Sequence, residues 1–231
     1  PVWSWFWADT RQQLPGLSLA LMALLLAVSA NIGVSTMVSS FRLTFVGFLD
    51  QRLAPELFIR VGGADQSAKL EAFLKERKFE VLPLLSTQAT IAQHPVELFG
   101  VRVGQTYRDN WVFLEATRRA WDSVQLGQAI IVNEQLARRT NLWVGDHVQV
   151  TASLRLPIAA VVGDYGNPKG QVIITEKLFQ DIHPGLYPQQ FGVRSQDASK
   201  LRAQIVDRIG VDNTAIIDQA SIKEFSLEVF E

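Results

Sequence analysis

The sequence contains no cysteine, which excludes a disulfide framework, a thiolate metal site and a cysteine nucleophile. Histidine is scarce too. The three residues, His94, His147 and His183, are far apart and show no i, i+4 pair of the kind that grips a metal ion. Two of them directly precede Pro95 and Pro184, which marks loops, so they are read as solvated. An excess of positive charge is also missing: 22 Lys and Arg stand against 23 Asp and Glu, a net charge of -1, which argues against a nucleic-acid-binding surface.

Catalytic signatures are lacking as well. No Gly-x-Ser-x-Gly elbow occurs, and Ser221 and Lys223 are too close for a Ser-x-x-Lys dyad. The stretch Gly163-Asp164-Tyr165-Gly166-Asn167-Pro168-Lys169-Gly170 suggests a phosphate loop, but such a loop needs Gly-Lys-Ser/Thr opening a helix. Here Lys169 precedes Gly170 and a strand follows, so a hairpin turn is expected. No catalytic, cofactor-binding or metal-binding residue is assigned, no cofactor is expected, and the chain is read as not an enzyme.

One region lacks charge altogether. Between Arg11 and Arg42 there is no charged side chain, and Leu17 to Val38 is apolar enough to cross a bilayer, which takes about 20 such residues. Val28-Ser29-Ala30 has the spacing of a signal-peptide cleavage site, but no positive n-region precedes it and the apolar helical pattern runs on past Ala30. Trp3, Trp5, Phe6 and Trp7 crowd the approach, as aromatic rings do at the headgroup level, so residues 1–14 are expected to form an interfacial amphipathic helix. Gly16, Ala20, Ala23, Ala27, Ala30 and Asn31 gather on one side at 100 degrees per residue, the pattern of a helix that packs against others in a bundle.

The helix is expected to continue beyond the membrane. Phe41, Phe45, Phe48, Leu49, Arg52 and Leu53 keep one helical face, and Pro55 disfavours helix at Ala54. Residues 15–54 are therefore read as a transmembrane helix and a stalk, the stalk rising about 20 Å. At the other end, Ser221-Ile222-Lys223-Glu224 is a capping-box pattern followed by Phe225, Val229 and Phe230 on a helical face, so 221–231 reads as the start of a returning stalk. A domain between two membrane spans, in a piece of a longer protein, is the expectation.

Between the stalks the reading is α+β. Leu57 to Val61 and Phe79 to Leu82 are strands around a helix from Asp65 to Lys78. Gln190 to Arg194 and Thr214 to Ile217 are strands around a helix capped by Ser195. Further strands are expected at Gln88 to Ala92, Val96 to Val103, Ile158 to Val162 and Val172 to Thr175. Two strand-helix-strand units of this kind predict a ferredoxin-like layer with helices on one face. Residues 104–150, with Tyr107, Trp111, Trp121 and Trp143, read as a small inserted subdomain in which Asn133 caps a short helix ending near Asn141 and Gly145-Asp146 turns into the strand His147 to Val150. The paired Arg118-Arg119 and Arg138-Arg139 are read as a solvated face, with a lipid or partner site as the alternative. The tryptophans are read as core, the alternative being an apolar patch that meets a partner or lipid-like cargo.

Ala30-Asn31-Ile32-Gly33-Val34-Ser35-Thr36-Met37-Val38, continued by Phe41-Arg42, Thr44-Phe45 and Leu49-Asp50-Gln51-Arg52-Leu53, resembles the MacB/FtsX-like permeases of ABC transporters. Within that family it is most like the long, two-halved YbbP-like type. Ile131-Val132-Asn133-Glu134-Gln135-Leu136-Ala137-Arg138-Arg139 with Val144-Gly145-Asp146 resembles the family's sabre subdomain, and Ile158 to Gly163 the return strand into its porter subdomain. The resemblance implies a porter-like layer over 55–103 and 151–220 with the sabre-like insert at 104–150, in the second periplasmic domain of a multi-pass permease of the bacterial inner membrane. It implies a cytoplasmic ABC ATPase subunit, membrane lipids and a hydrophobic cargo or periplasmic partner protein as partners. Trp7 would then lie on the cytoplasmic side and Gly166 outside. A sensor domain between two spans is the alternative. The absence of a phosphate loop or nucleophile predicts that the segment from Pro55 to Asp218 neither hydrolyses esters nor binds ATP. Calorimetry should show no saturable nucleotide binding tighter than about 1 mM.

Overall fold

In a computed structural model, the backbone of residues 2–164 and 167–227 and the side chains of 16–164 and 167–225 are described. The tryptophan cluster ahead of the span, Val229 and Phe230, and Tyr165 and Gly166 in the expected turn therefore lie outside the residues whose side chains are described. Packing divides the chain at Val46 and Gly47.

The first unit is helical. Helix α1, Val2–Arg52, is the one described helix long and apolar enough to cross a bilayer, over Gly16–Arg52 at a mean hydropathy of 2.2. Every residue from 16 to 44 is exposed, including Leu26 at 74% and Met37 at 76%, a surface that water would penalise and hydrocarbon would not. Its hydroxyls fit that setting. Thr36 Oγ1 donates to the Ile32 carbonyl at 2.8 Å and Thr44 Oγ1 to Ser40 at 3.0 Å, so neither seeks water. Phe41 and Phe45 stack one turn apart, their ring centroids separated by 6.3 Å.

The second unit is one mixed sheet with helices. In chain order it holds β1 (Leu57–Arg60), α2 (Ala64–Glu76), β2 (Val81–Ile91), β3 (His94–Val101), α3 (Gln105–Asn110), β4 (Phe113–Ala116) and α4 (Ala120–Gln125). There follow β5 (Ile130–Asn133), α5 (Glu134–Thr140), β6 (His147–Thr151), β7 (Leu154–Val162), β8 (Gly170–Thr175) and α6 (Glu176–Ile182). Last come β9 (Gln190–Val193), α7 (Ala198–Ile209), β10 (Ile216–Asp218) and α8 (Gln219–Leu227). The strand order is β10-β1-β9-β2-β3-β8-β5-β7-β4, with β6 beside β7.

The first four strands of that order are antiparallel throughout and arise from two strand-helix-strand units, which is the ferredoxin-like arrangement the sequence predicts. Helices α2 and α7 cover one face of this half through Leu70, Leu74, Leu201 and Ile205. The other strands form a second half, in which β3 pairs β8 in parallel and β5 pairs β7 in parallel. Of the strands in the ranges expected for the porter-like layer, β3 pairs β2 on one side and β8 on the other, β8 pairs β3 and β5, and β7 pairs β4, β5 and β6. They share this half with the strands of 104–150.

Side-chain alternation sorts the two faces. On β2, Val81 and Leu85 point to the α2/α7 and α5/α6 side, whereas Leu82 and Leu84 point to the other. Helices are not confined to one face. The far side of the second half is covered by α3 and α4, which bring Tyr107, Trp111 and Trp121 against Phe99, Ile131 and Ile173.

Several local expectations are corrected. The strands Phe79 to Leu82 and Gln88 to Ala92 are parts of one strand, because Leu84 pairs with both Gln190 of β9 and Val101 of β3. Gly163 to Gly170 does not join two neighbouring strands as a hairpin turn would: β7 and β8 lie on either side of β5. Ser195 does not cap α7. Asp197 does, its carboxylate accepting from Lys200 N at 3.0 Å, and Ser195 Oγ accepts from Asp197 N instead. Ser221 likewise lies inside α8, where its N–H donates to Asp218 Oδ1 at 2.8 Å; a carboxylate accepts from free helix-start N–H groups more strongly than a hydroxyl.

Arg102, just past β3, ties two helices to the sheet. Its guanidinium donates to Glu176 at 2.8 Å and to Glu71 at 2.7 Å, joining α6 to α2. Burial alone would raise the Glu71 carboxyl, but the bonds from Lys75 and Arg102 outweigh it and hold the group below its ordinary value of 4.5. Stability from this carboxylate is therefore complete above the ordinary value and is lost as pH falls through the depressed one. Arg102→Leu should cost about 1 to 2 kcal/mol at neutral pH, a figure reduced for partial exposure. Urea titrations should show the gap to the unaltered protein closing below about pH 4.5.

Candidate functional site

Asn133 anchors the region where chemistry is concentrated. It ends β5, is fully buried, and caps α5 by accepting from Leu136 N at 3.1 Å. The same Oδ1 accepts from Gln171 N at 2.9 Å, and Nδ2 donates to the Lys169 carbonyl at 2.9 Å and to Asp164 Oδ2 at 3.1 Å. One side chain thus fixes the start of α5, the start of β8 and the segment after β7. The expected helix end holds too: Asn141 takes the left-handed conformation, φ 55°, as its C-cap.

Asp164, so positioned, faces Arg52 at the end of α1. The two charges are 3.9 Å apart, and Arg52 Nη2 also donates to the Gly163 carbonyl at 3.2 Å. The guanidinium lies over the Trp111 ring, 4.2 Å from its centroid, and 5.7 Å from that of Phe48. Trp111 meets Tyr107 edge-on and Trp121 at 5.7 Å, so the arginine rests on an aromatic cluster. Desolvation holds the Tyr107 hydroxyl above its ordinary pKa; Arg52 opposes this and Glu80 adds to it, so the phenol stays protonated. Helix α3 is set by Glu80, whose carboxylate accepts from Thr106 N at 3.0 Å and Thr106 Oγ1 at 2.6 Å.

Beside this cluster is a cavity of about 310 Å3. Its floor is the sheet face bearing Phe58, Leu82, Leu84, Phe99 and Ile173, and the end of α1 together with Trp111 borders it. Gly192 lies on that face, where a Cβ would come within 2.7 Å of Pro55 Cγ. The lining is mostly apolar. Arrangement and residue types suit holding an apolar group.

The residues singled out in the sequence are dispersed around this site. Trp111 joins it, Trp121 supports it from beneath at 7% exposure, and Trp143 packs against the separate core near α5. Arg118 and Arg119 are exposed, and Arg138 pairs with Glu134 at 2.7 Å one turn away, as a solvated face does. His94, His147 and His183 do not converge, and among the described residues no cluster of His, Asp and Glu could hold a metal ion. In the sequence Arg52 reads only as part of the stalk, Asp164 only as part of the rejected phosphate loop, and Gln171 is not singled out at all; no spacing marks the three as one site, because they meet only through β5 and α3.

A second cluster joins the two ends of this unit. Lys223 Nζ pairs with Asp50 at 2.6 Å, Gln219 Nε2 donates to the Leu53 carbonyl, and Gln219 N donates to the Glu56 carbonyl at 3.0 Å. The end of α1 and the start of α8 are therefore neighbours.

No family model matches the chain, and no curated protein matches it. Among solved structures it is similar to the periplasmic region of MacB from Actinobacillus actinomycetemcomitans, with a TM-score of 0.52, 15% identity, and coverage of 73% of this chain and 90% of that one. It also matches the extracellular domain of the noncanonic ABC-type transporter YknZ from Gram-positive bacteria at a TM-score of 0.48 and 10% identity, over 70% of this chain and 97% of that one, too loosely to carry an argument. The first match establishes a MacB-like periplasmic fold, in agreement with the fold expected from the sequence.

Asn133→Asp tests the anchor. It would turn the Nδ2 donor into a charged acceptor facing Asp164 and the Lys169 carbonyl, leaving a buried charge uncompensated. A loss of about 3 to 5 kcal/mol at neutral pH is expected. Measured against the unaltered protein at each pH, the loss should shrink in acid as the introduced carboxyl takes up a proton and regains a donor.

Proposed function

We propose that this chain is part of an ABC transporter permease: one membrane-spanning helix followed by a periplasmic domain that moves when a separate cytoplasmic ATPase works. The observation that carries the reading is the bonding of the domain's two ends, Asp50 to Lys223 and Leu53 to Gln219. A domain whose entering and leaving helices are tied together can receive a displacement from one membrane helix and return it to another. The MacB-like fold and the long exposed apolar helix support the same reading. We assign the division into a porter-like half, β10-β1-β9-β2, and a second, sabre-like half along the same lines. The chain binds and moves; it carries out no covalent chemistry. Its place is the bacterial inner membrane, in a multi-pass protein of the YbbP-like type. Its cargo is hydrophobic or membrane-embedded, extracted rather than passed through a pore.

Two measurements test this in the full-length protein. Since this chain has no cysteine, Gly166→Cys adds its one thiol, and with any cysteine elsewhere in the protein replaced, an impermeant thiol reagent should modify it in intact cells. Labelling that needs permeabilised cells would place the domain on the wrong side. Phe45→Pro removes a helix hydrogen bond and costs the local helix about 3 kcal/mol or more. That variant should insert, co-purify with an ATPase and retain ATP hydrolysis while losing transport. Full transport would make the helix a mere tether and favour a sensor.

A further inference from the structure

The polar groups facing the 310 Å3 cavity are unevenly used. Asp164 is held back by Asn133, and its remaining oxygen is 3.9 Å from Arg52, beyond hydrogen-bond range. Arg52 has five N–H donors, and among the described residues its recorded hydrogen bond is the one from Nη2 to the Gly163 carbonyl. The side-chain amides of Gln171 and Gln190 also border the cavity and make no hydrogen bond among the described residues. A half-buried guanidinium whose anionic partner, Asp164, is held 3.9 Å away, two spare amides and walls of Phe58, Leu84 and Trp111 define a space with one polar corner and an apolar remainder.

We propose that this cavity binds a single-chain amphiphile, the alkyl chain lying against Phe58, Leu84 and Trp111 and a carboxylate head accepting from Arg52. The volume supports one chain. It is at the small end of the range of about 300 to 1,000 Å3 typical of ligand sites, too small for the two chains and headgroup of a phospholipid. Charge selects the head, since a carboxylate can approach the guanidinium more closely than Asp164 is held. Supply is at hand in the sequence: Phe48 and Arg52 lie on the same helix as the apolar run, ten and fourteen residues beyond Val38. The inference does not depend on the transport reading, because a sensor would hold the same molecule in the same place.

The test uses the full chain in lipid nanodiscs, with decanoate brominated at its terminal carbon as the probe, since bromine quenches indole fluorescence at contact. Quenching should saturate, and Trp111→Phe should remove the saturable component while leaving the linear background from the bilayer. Leu84→Trp, which fills the cavity, should weaken binding at least tenfold with the thermal transition retained. Should that variant unfold, the head arm decides alone: Arg52→Gln should weaken the brominated decanoate about tenfold and leave the matching decanol unchanged. Quenching that never saturates and is the same in Trp111→Phe reports partitioning into the bilayer and overturns the proposal. Equal effects of Arg52→Gln on acid and alcohol overturn the assignment of the head.

Discussion

The two halves of the sheet are held together by one strand. Val81 to Leu84 of β2 pair with β9, and Leu84 to Ile91 pair with β3, so Leu84 is bonded on both sides while its neighbours belong to one half or the other. Pro83, which has no N–H to give to a ladder, stands one residue before this change of partner. Any rearrangement of one half against the other must bend or break β2. Arg102 then acts across the same seam, bonding to α2 of the ferredoxin-like half and α6 of the second. Hydrogen bonds to charged groups exceed neutral ones, which makes this bridge a firm side-chain tie, and it is graded by the protonation of Glu71.

A second chain of dependence runs from β5 to the end of α1. Asn133 places Asp164, Asp164 and the Gly163 carbonyl place Arg52, and Arg52 lies on Trp111. Each step is a polar or cation–π contact in poorly solvated surroundings, where such contacts are stronger and their loss costs more than at the surface. The result is that the last turn of the long apolar helix is bonded to the far half of the sheet rather than only to the strand that follows it.

The ferredoxin-like half was legible in the sequence because its signals are local. Leu70, Phe73 and Leu74 keep helical spacing between two short apolar runs, and Leu201, Ile205 and Ile209 repeat the pattern. Asn133 was legible for the same reason. The rest was hidden by pairings distant in sequence: nothing near Gly163 or Gly170 announces that β5 separates their strands. The turn joining β2 to β3 was hidden differently. Ala92 and Gln93 both take positive φ, 50° and 66°, a conformation usually signalled by Asn or Gly, so the continuous hairpin on either side read as two unrelated strands. The cavity shows the same limit, since Arg52 and Gln171 lie 119 residues apart and no spacing rule relates them.

The cavity itself follows from a mismatch between sheet and cover. Leu57, Phe58 and Ile59 are three apolar residues in succession, which in a strand means apolar character on both faces. One face is closed by α2 and α7. The other carries Phe58 and Leu82, and among the described residues what covers it is the short helix α3 and the last turn of α1, with Gly192 kept bare so that Pro55 can approach. Two such narrow elements cannot close over four strands, and the uncovered remainder is the 310 Å3 space. A well-packed interior has few voids larger than a water molecule, so an apolar face left partly open at the end of α1 is retained against the ordinary tendency of a core to fill. Binding an apolar molecule supplies the missing contacts without demanding a larger side chain at any one position.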